Sequence, residues 1–335
     1  MKKVAVVILN WNGKKYLEQF LNSIISNVNN SYTDIWVADN ASTDNSITFL
    51  KENFASVKLI CFDQNYGFTT GYNKALALIE AEYYVLLNND VEVTSQWIEP
   101  VIEHLDKNPK IAAVAPKIKS WSNRNEFEYA GAAGGFIDYL GYPFCRGRIL
   151  SSIEPDNGQY DKSVPIFWAS GACMFVRASI FHSLKGFDDL FFAHMEEIDL
   201  CWRMKNAGYE IYCLPQSTVY HVGGGTLPNN SPKKIYLNYR NNLLLLYKNL
   251  PRQKKNIIFL LRFIFDMASV LVFLLQFKGK FSLSVFKAYR DFFKLKKNYA
   301  INRQNLKKQT EILNKSIVLN FFLKRKRKFS DFNNN

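Results

Sequence analysis

The sequence predicts an α/β fold built on a largely parallel sheet covered by helices. Short apolar runs recur at 4–9, 35–38, 57–62, 83–87, 111–115 and 173–176, amphipathic stretches separate the early ones, and Asn, Asp and Ser cluster mostly at their ends. An apolar run bounded by turn residues suits a strand covered on both faces, and alternation with helical periodicity suits parallel crossovers.

The first run, Val4-Ala5-Val6-Val7-Ile8-Leu9, follows Met1-Lys2-Lys3. It is too short for a signal-peptide core and has no small-residue cleavage site after it, so it reads as a buried strand and argues against secretion. Tyr16, Phe20, Leu21, Ile24 and Ile25 stand at three- and four-residue spacing and define the next helix, Ile47 and Leu50 the one after, and residues 70–79 a third. Residues 120–165, rich in glycine and aromatics, show no clear period and read as an irregular excursion. The five cysteines form no CxxC pair, which favours reduced cytosolic thiols packed as small apolar groups.

Charge divides the chain of 335 residues unevenly. Residues 251–335 hold 20 of the 43 lysines and arginines but only 4 of the 29 acids, a net +16, whereas the remainder carries −2. Such a tail favours an anionic partner. Within it, residues 257–277 are strongly apolar yet interrupted by Arg262 and Asp266. Charges at a bilayer centre are costly, so an interfacial amphipathic helix or a re-entrant hairpin fits better than a plain span. Residues 281–297 interleave Phe286, Tyr289, Phe292 and Phe293 with Lys287, Arg290, Lys294, Lys296 and Lys297. An anionic membrane surface matches this pattern better than nucleic acid does. Two regions are therefore expected: a body over 1–250 and a basic, aromatic-rich helical region over 251–335, peripheral to or partly embedded in the cytoplasmic face of the membrane. The joining segment Tyr236-Leu237-Asn238-Tyr239-Arg240-Asn241 reads equally as a ligand contact near the membrane and as a plain helical connector.

Three polar clusters fall where strands end. Asp39 opens a turn-rich loop in which Ser42, Thr43 or Asp44 can cap the next helix, and it reads either as part of that loop or as a nucleotide-binding carboxylate at a strand end. Asp90 follows a buried run and two asparagines, a placement that suits a hard-oxygen ligand for Mg²⁺ or Mn²⁺ but also an ordinary turn. Asn65-Tyr66-Gly67-Phe68 precedes a helix whose amino end, with Lys74, could face phosphate charge. Beyond these, Glu196, Glu197 and Asp199 form the densest acidic run. On helical spacing Glu196, Asp199 and Arg203 share a face from which Glu197 diverges. His221 stands before three glycines and reads as a satisfied polar residue or a metal ligand. No GxGxxG, P-loop, GxSxG or HExxH pattern occurs.

Taken in order, Val4 through Asn12, Val37-Ala38-Asp39 with its loop, Asn65-Tyr66-Gly67-Phe68, Leu86-Leu87-Asn88-Asn89-Asp90 and the run 192–203 resemble glycosyltransferase family 2 over about residues 3–250. Within that family the chain resembles the bacterial rhamnosyltransferase-like branch that builds surface polysaccharides. The resemblance implies a GT-A fold over 1–250, a nucleotide-diphosphate sugar donor, a divalent metal (Mg²⁺ or Mn²⁺) and inversion at the anomeric carbon. It implies that Asp39 contacts the nucleoside, with Asn10, Asn12, Asn65, Gly67, Lys74 and Asn88 on the nucleotide-sugar side. Asn88-Asn89-Asp90 stands for the family's DxD element, leaving Asp90 as its one carboxylate, with His221 as a further metal ligand. Glu196-Glu197 stands for the Glu-Asp motif whose second acid is the base. Glu197 is thus the expected base, with Glu196 or Asp199 as fallback, and Glu196, Asp199 and Arg203 are placed at the acceptor. The implied reaction moves a sugar, rhamnose or another hexose, to a saccharide or lipid-linked acceptor in cell-surface polysaccharide synthesis. Two other classes compete. A nucleotidyltransferase would want a glycine- and basic-rich phosphate loop where Asn10-Trp11-Asn12-Gly13 stands. An inactive carbohydrate- or membrane-binding scaffold is favoured by the departures at Asn88 and Glu197.

Overall fold

Strands β1 (Lys2–Asn10), β2 (Thr33–Asp39), β3 (Lys58–Cys61) and β4 (Ala81–Asn88) pair in parallel in the order β4-β1-β2-β3. The coordinates are a computed structural model describing residues 2–28, 30–223, 231–299 and 311–332. Helices α1 (Lys14–Ser26), α2 (Ser46–Asn53) and α3 (Gly67–Leu76) make the crossovers. The apolar run of β1 is buried from Val4 to Ile8, with Leu9 half-buried, as befits a central strand covered on both faces.

Past β4 the sheet becomes mixed. β5 (Val91–Val93), α4 (Glu99–Lys107) and β6 (Ile111–Ser120) follow in the chain. The stretch expected to be irregular instead holds a small antiparallel meander, β7 (Gly135–Asp138), β8 (Pro143–Cys145), β9 (Arg148–Ile149) and β10 (Ser152–Ile153). Its period is hidden because the strands are two to four residues long. Gly135 admits the close approach of Trp168, whose indole would lie 2.1 Å from a Cβ there. After β11 (Val164–Pro165), β12 (Cys173–Arg177) inserts antiparallel between β4 and β6. Helices α5 (Ala178–Ser183) and α6 (Glu196–Asn206) lead to β13 (Glu210–His221), which runs parallel to β6 and receives β5 and β11 antiparallel.

Helices α7 (Pro232–Asn249), α8 (Arg252–Leu275) and α9 (Gly279–Leu295) come next, then β14 (Ile312–Leu313) and α10 (Ile317–Lys324). The basic region does not stand apart from the body. β14 pairs in parallel with β7, the Ile317 N–H donates to the Asp138 carboxylate, and Phe329 stacks among Phe136, Phe144 and Tyr160.

The two charges inside the apolar helix find a protein environment. Lys255, Ile258, Arg262, Asp266 and Val270 form its buried stripe, at three- and four-residue spacing. Arg262 pairs with Asp266 at 3.1 Å, the guanidinium lies 3.9 Å from the Tyr142 ring centre, and the Tyr289 hydroxyl donates to Asp266 at 2.9 Å. The opposite surface is apolar and exposed, with Ile257, Leu260, Ile264, Leu271 and Leu275 all more than half accessible and Phe277 99% accessible beyond the helix end.

Candidate active site

Register brings the strand ends together: Asn10 lies opposite Asp39, and Leu9 opposite Asn88. Asp39 is buried and accepts hydrogen bonds from Asn10 Nδ2 (3.0 Å) and the Ser42 N–H (2.8 Å). Asn10 also accepts from Asn89 Nδ2 (2.8 Å), and a Cβ at Gly13 would sit 2.1 Å from that same nitrogen. Asn12 adopts φ +51° and its amide oxygen takes the Thr43 N–H at 2.7 Å. Asn40, part of the polar loop after Asp39 but given no role there, joins the neighbouring loop by donating to Asn65 and to the Gly67 carbonyl, both at 3.0 Å, and accepting from the Tyr66 N–H. Asn10 was placed on the nucleotide-sugar side; its fully buried amide is instead used in lacing these loops, so its part is to fix Asp39.

The amino end of α3 also departs from expectation. The helix expected over 70–79 begins earlier, at Gly67, and its Phe68 and Thr69 N–H groups donate to the Phe192 carbonyl at 3.0 and 3.3 Å. Gly67 has φ +76°, and a Cβ there would lie 2.5 Å from the Phe192 ring. Lys74 is exposed and rests 4.3 Å over the Tyr66 ring.

A second group gathers where β5 meets β13. The ladder sets His221 opposite Val91, and the Val222 N–H donates to the Asp90 carbonyl. His221 Nε2 consequently lies 3.1 Å from Asp90 Oδ1 and 3.4 Å from Asn88 Nδ2, while Nδ1 lies 3.5 Å from the Glu128 carboxylate. Burial disfavours the imidazolium, but the Glu128 and Asp90 carboxylates outweigh it and push the pKa up to about 10. Glu128 belongs to the segment without visible period, so no spacing rule connected it to His221. A cavity of about 210 Å³ opens here, lined by Glu128, Tyr129, His221, Gly223 and Lys234 among others. A larger one, about 450 Å³, lies beside α10 and shares no residue with it. The remaining glycines after His221, Gly224 and Gly225, lie outside the described residues.

These residues fit a divalent cation. Two neighbouring ligands of an octahedral ion with bonds of about 2.1 Å stand roughly 3 Å apart, the spacing found between Asp90 Oδ1 and His221 Nε2. Glu128 occupies the place of the outer carboxylate that orients a ligating imidazole. Among the described residues no group of three or more His, Cys, Asp or Glu side chains could hold an ion. Water and substrate phosphate would have to complete its coordination, as is common for Mg²⁺.

The acidic run opens α6 after a loop of unusual backbone. Phe192, His194 and Met195 all have φ between +65° and +70°. Each such residue costs on the order of 1–3 kcal/mol and persists only where its surroundings impose it. Glu196 and Glu197 begin the helix, and each has a buried carboxylate oxygen (Oε2) with no hydrogen-bond partner. Burial raises the Glu197 pKa to about 7; burial and then repulsion from Glu197 hold that of Glu196 well above the ordinary carboxylate range. His194, by burial and then the nearby Lys234 charge, is pushed down to about 4. Burial and then Glu128 act on Lys234, leaving its pKa lowered, so Lys234 stands between the cavity and this loop.

Asp199 and Arg203 were expected at the acceptor, and the structure assigns their polar atoms elsewhere. Asp199 is fully buried and accepts from Arg203 Nε, Lys248 and Asn249, each at 2.8 Å. Burial opposes its charge, but Arg203 and Lys248 win and hold its carboxyl below the usual range. The other Arg203 nitrogens donate to the Leu184 and Gly186 carbonyls. The pair therefore locks α6 onto α7 and the preceding turn.

A mixed sheet with polar loops at the carboxyl ends of its parallel strands, an Asp–His pair beside them and carboxylates at a helix start is the arrangement of a sugar-nucleotide transferase of GT-A type. S. aureus TarS 1–349 in complex with UDP-GlcNAc superposes with a TM-score of 0.57 at 17% identity, covering 87% of this chain and 81% of that one. GalNAc-T7 with UDP, GalNAc and Mn²⁺ also gives 0.57, at 15% identity over 74% of this chain, which spans about half (48%) of that structure. The sequence model described as Glycosyl transferase family 2 matches residues 5–184, and the chain belongs to that family. N-acetylglucosaminyl-diphospho-decaprenol L-rhamnosyltransferase of Mycobacterium tuberculosis is 26% identical over 236 residues, 65% of this chain and 75% of its own length. Rhamnosyltransferase WbbL of Escherichia coli is 25% identical over 235 residues, 65% and 83% respectively. The protein is thus a family 2 glycosyltransferase, which removes the nucleotidyltransferase reading.

Proposed function

We propose that this glycosyltransferase moves a sugar, rhamnose or another hexose, from a nucleotide-diphosphate donor to a saccharide or lipid-linked acceptor, with inversion, in cell-surface polysaccharide synthesis. The observation that carries the reading is Glu197: a carboxylate at a helix start with a buried, unpartnered oxygen, beside a neighbour, Asp199, whose oxygens are all in use. A hydroxyl is a poor nucleophile near neutral pH, so a carboxylate within hydrogen-bond reach must take its proton as the new C–O bond forms. Glu197, with a pKa near 7, is suited to accept it. Asp39 would accept from the nucleoside, on a carboxylate already fixed by Asn10 and Ser42. Asn12, Asn65, Gly67 and Asn88 shape the surrounding loops, and Lys74 is the nearby exposed cation. Glu196 would flank the acceptor beside Glu197.

Asp90 and His221 would hold the divalent ion, Mg²⁺ or Mn²⁺, which when bound neutralises charge on the departing diphosphate. The Mn²⁺ present with GalNAc-T7 supports this part of the reading. Likewise, the decaprenol-linked substrate in the name of the mycobacterial relative supports a lipid-linked acceptor.

The exposed apolar surface of α8, continued by Leu283, Phe286 and Phe293 on α9 and flanked by Lys278, Lys280, Lys287 and Lys294, would rest on the anionic cytoplasmic face of a membrane. With Arg262 and Asp266 turned into the protein, the helix fits partial embedding in one leaflet. A direct test measures nucleoside diphosphate release over a panel of sugar donors with Mg²⁺ and Mn²⁺. Release from wild type and none from Glu197→Gln supports the reading, and near-wild-type turnover in Glu197→Gln sinks it.

A further inference from the structure

The loop that delivers Glu197 is held from outside by α7. Asn241, fully buried, donates through Nδ2 to the Phe191, Ala193 and His194 carbonyls at 2.9, 2.8 and 2.7 Å. Arg240 donates through Nη2 to the Leu190 and Phe191 carbonyls at 2.9 and 3.0 Å. Its Nε donates to Asn241 Oδ1 at 2.9 Å, which fixes the amide with its N–H groups toward the loop. The Phe192 carbonyl is taken by the start of α3. Every carbonyl from 190 to 194 therefore has a donor from another element, across the stretch where Phe192, His194 and Met195 adopt left-handed backbone.

We propose that Asn241, oriented by Arg240, is a positioning residue for the transfer step: its amide imposes the loop conformation that places Glu197 against the acceptor hydroxyl. The inference rests on Glu197 being the base. Docking α7 onto the body does not by itself call for these two residues, because Leu243, Leu244, Leu245 and Leu246 on the same helix are already fully buried. A buried amide is costly unless its donors are used, and here they are spent on one strained loop. The same helix bonds to the hairpin formed by α8 and α9: the Tyr236 hydroxyl donates to Asp291 at 2.9 Å, and the Tyr239 and Ser269 hydroxyls lie 2.6 Å apart. Residues 236–241 thus join the hairpin to the base loop.

The test compares wild type, Asn241→Ala, Asn241→Asp, Arg240→Lys and Glu197→Gln, all as the full chain. Asn241→Asp keeps the volume and removes the donors, which separates hydrogen bonding from packing. In both Asn241 variants kcat should fall about 100-fold, the usual consequence of a reacting group displaced by an ångström, with KM for the donor sugar within about twofold. Arg240→Lys should lose about tenfold, having freed the amide without removing it. Hydrogen exchange should quicken at least about tenfold over residues 193–198 and stay unchanged in β1 and β4. Unchanged exchange over 193–198, or a kcat within about twofold of wild type in Asn241→Asp, overturns the proposal. An active Glu197→Gln overturns the base reading instead, whereas an inactive Glu197→Gln beside an active Asn241→Asp overturns positioning alone.

Discussion

The loops at the sheet's carboxyl edge and the acidic run opening α6 are both crowded with polar side chains, but they dispose of them in opposite ways. At the edge, Asn10, Asn12, Asp39, Asn40 and Asn65 hydrogen-bond to one another or to neighbouring backbone. In the acidic run, Asp199 is saturated while Glu196 and Glu197 each keep a buried oxygen without a partner. Asp39 apart, which the proposed function also gives to the nucleoside, the paired groups build the frame, and that proposal assigns the unpaired Glu196 and Glu197 oxygens to substrate. A buried unpaired carboxylate is expensive, so its persistence beside a fully paired neighbour is the stronger pointer to chemistry.

The comparison breaks most plainly at Glu197. Replacement by Gln should lower turnover by about 10³-fold, within the usual span for general-base catalysis, and leave donor affinity from calorimetric titration unchanged. Asp199→Asn should do the converse. It strips the charge that pairs Arg203 and Lys248, which should cost about 3 kcal/mol of stability, read by denaturant unfolding, with donor KM unaltered in the folded fraction. Asp90→Ala should lower turnover about 100-fold and shift the metal concentration needed for activity. Full activity with unchanged metal dependence would remove the Asp90–His221 pair from the site.

The pH dependence sharpens the same contrast. Glu197 must be ionised to act, so turnover should fall about tenfold per unit below pH 7. Because its pKa is raised on folding, the native state binds the proton more tightly than the unfolded chain. The contribution of Glu197 to stability should be full below the ordinary carboxylate pKa near 4.5 and be lost as pH rises through about 7. Thermal melts of Glu197→Gln should lose that part of the decline. The smallest effect is expected at the membrane face, where Leu275→Asp with Phe277→Asp should reduce sedimentation with anionic vesicles about tenfold and leave turnover on a soluble acceptor intact.

Much of the frame was legible in the sequence. Continuous apolar runs marked β1, β2 and β4, and the Asn- and Asp-rich punctuation marked their carboxyl ends. The antiparallel placement of β12 was not, because a buried run carries no sign of its direction. The meander over 135–153 was missed because its strands are too short to show alternation. In the site, Asp39, Asp90 and His221 were singled out by their positions beside strands, and the structure places Asp90 and His221 side by side. The partners of Asp199 and Arg203 were not foreseen, although their opposite charges at i and i+4 on a helix already signalled a mutual pair. Glu128, Arg240 and Asn241 act on residues far away in the chain, and no local pattern announces such contacts.

The return of the chain's last described residues to the body has a consequence for synthesis. The Phe329 N–H donates to Glu154, 175 positions earlier, and β14 extends the sheet begun by β7. While the ribosome is still making the hairpin, that small sheet has an uncovered edge and an aromatic pocket awaiting Phe329 and Phe332. Helices α8 and α9, the surface proposed to meet lipid, therefore precede in the chain the segment that completes this sheet.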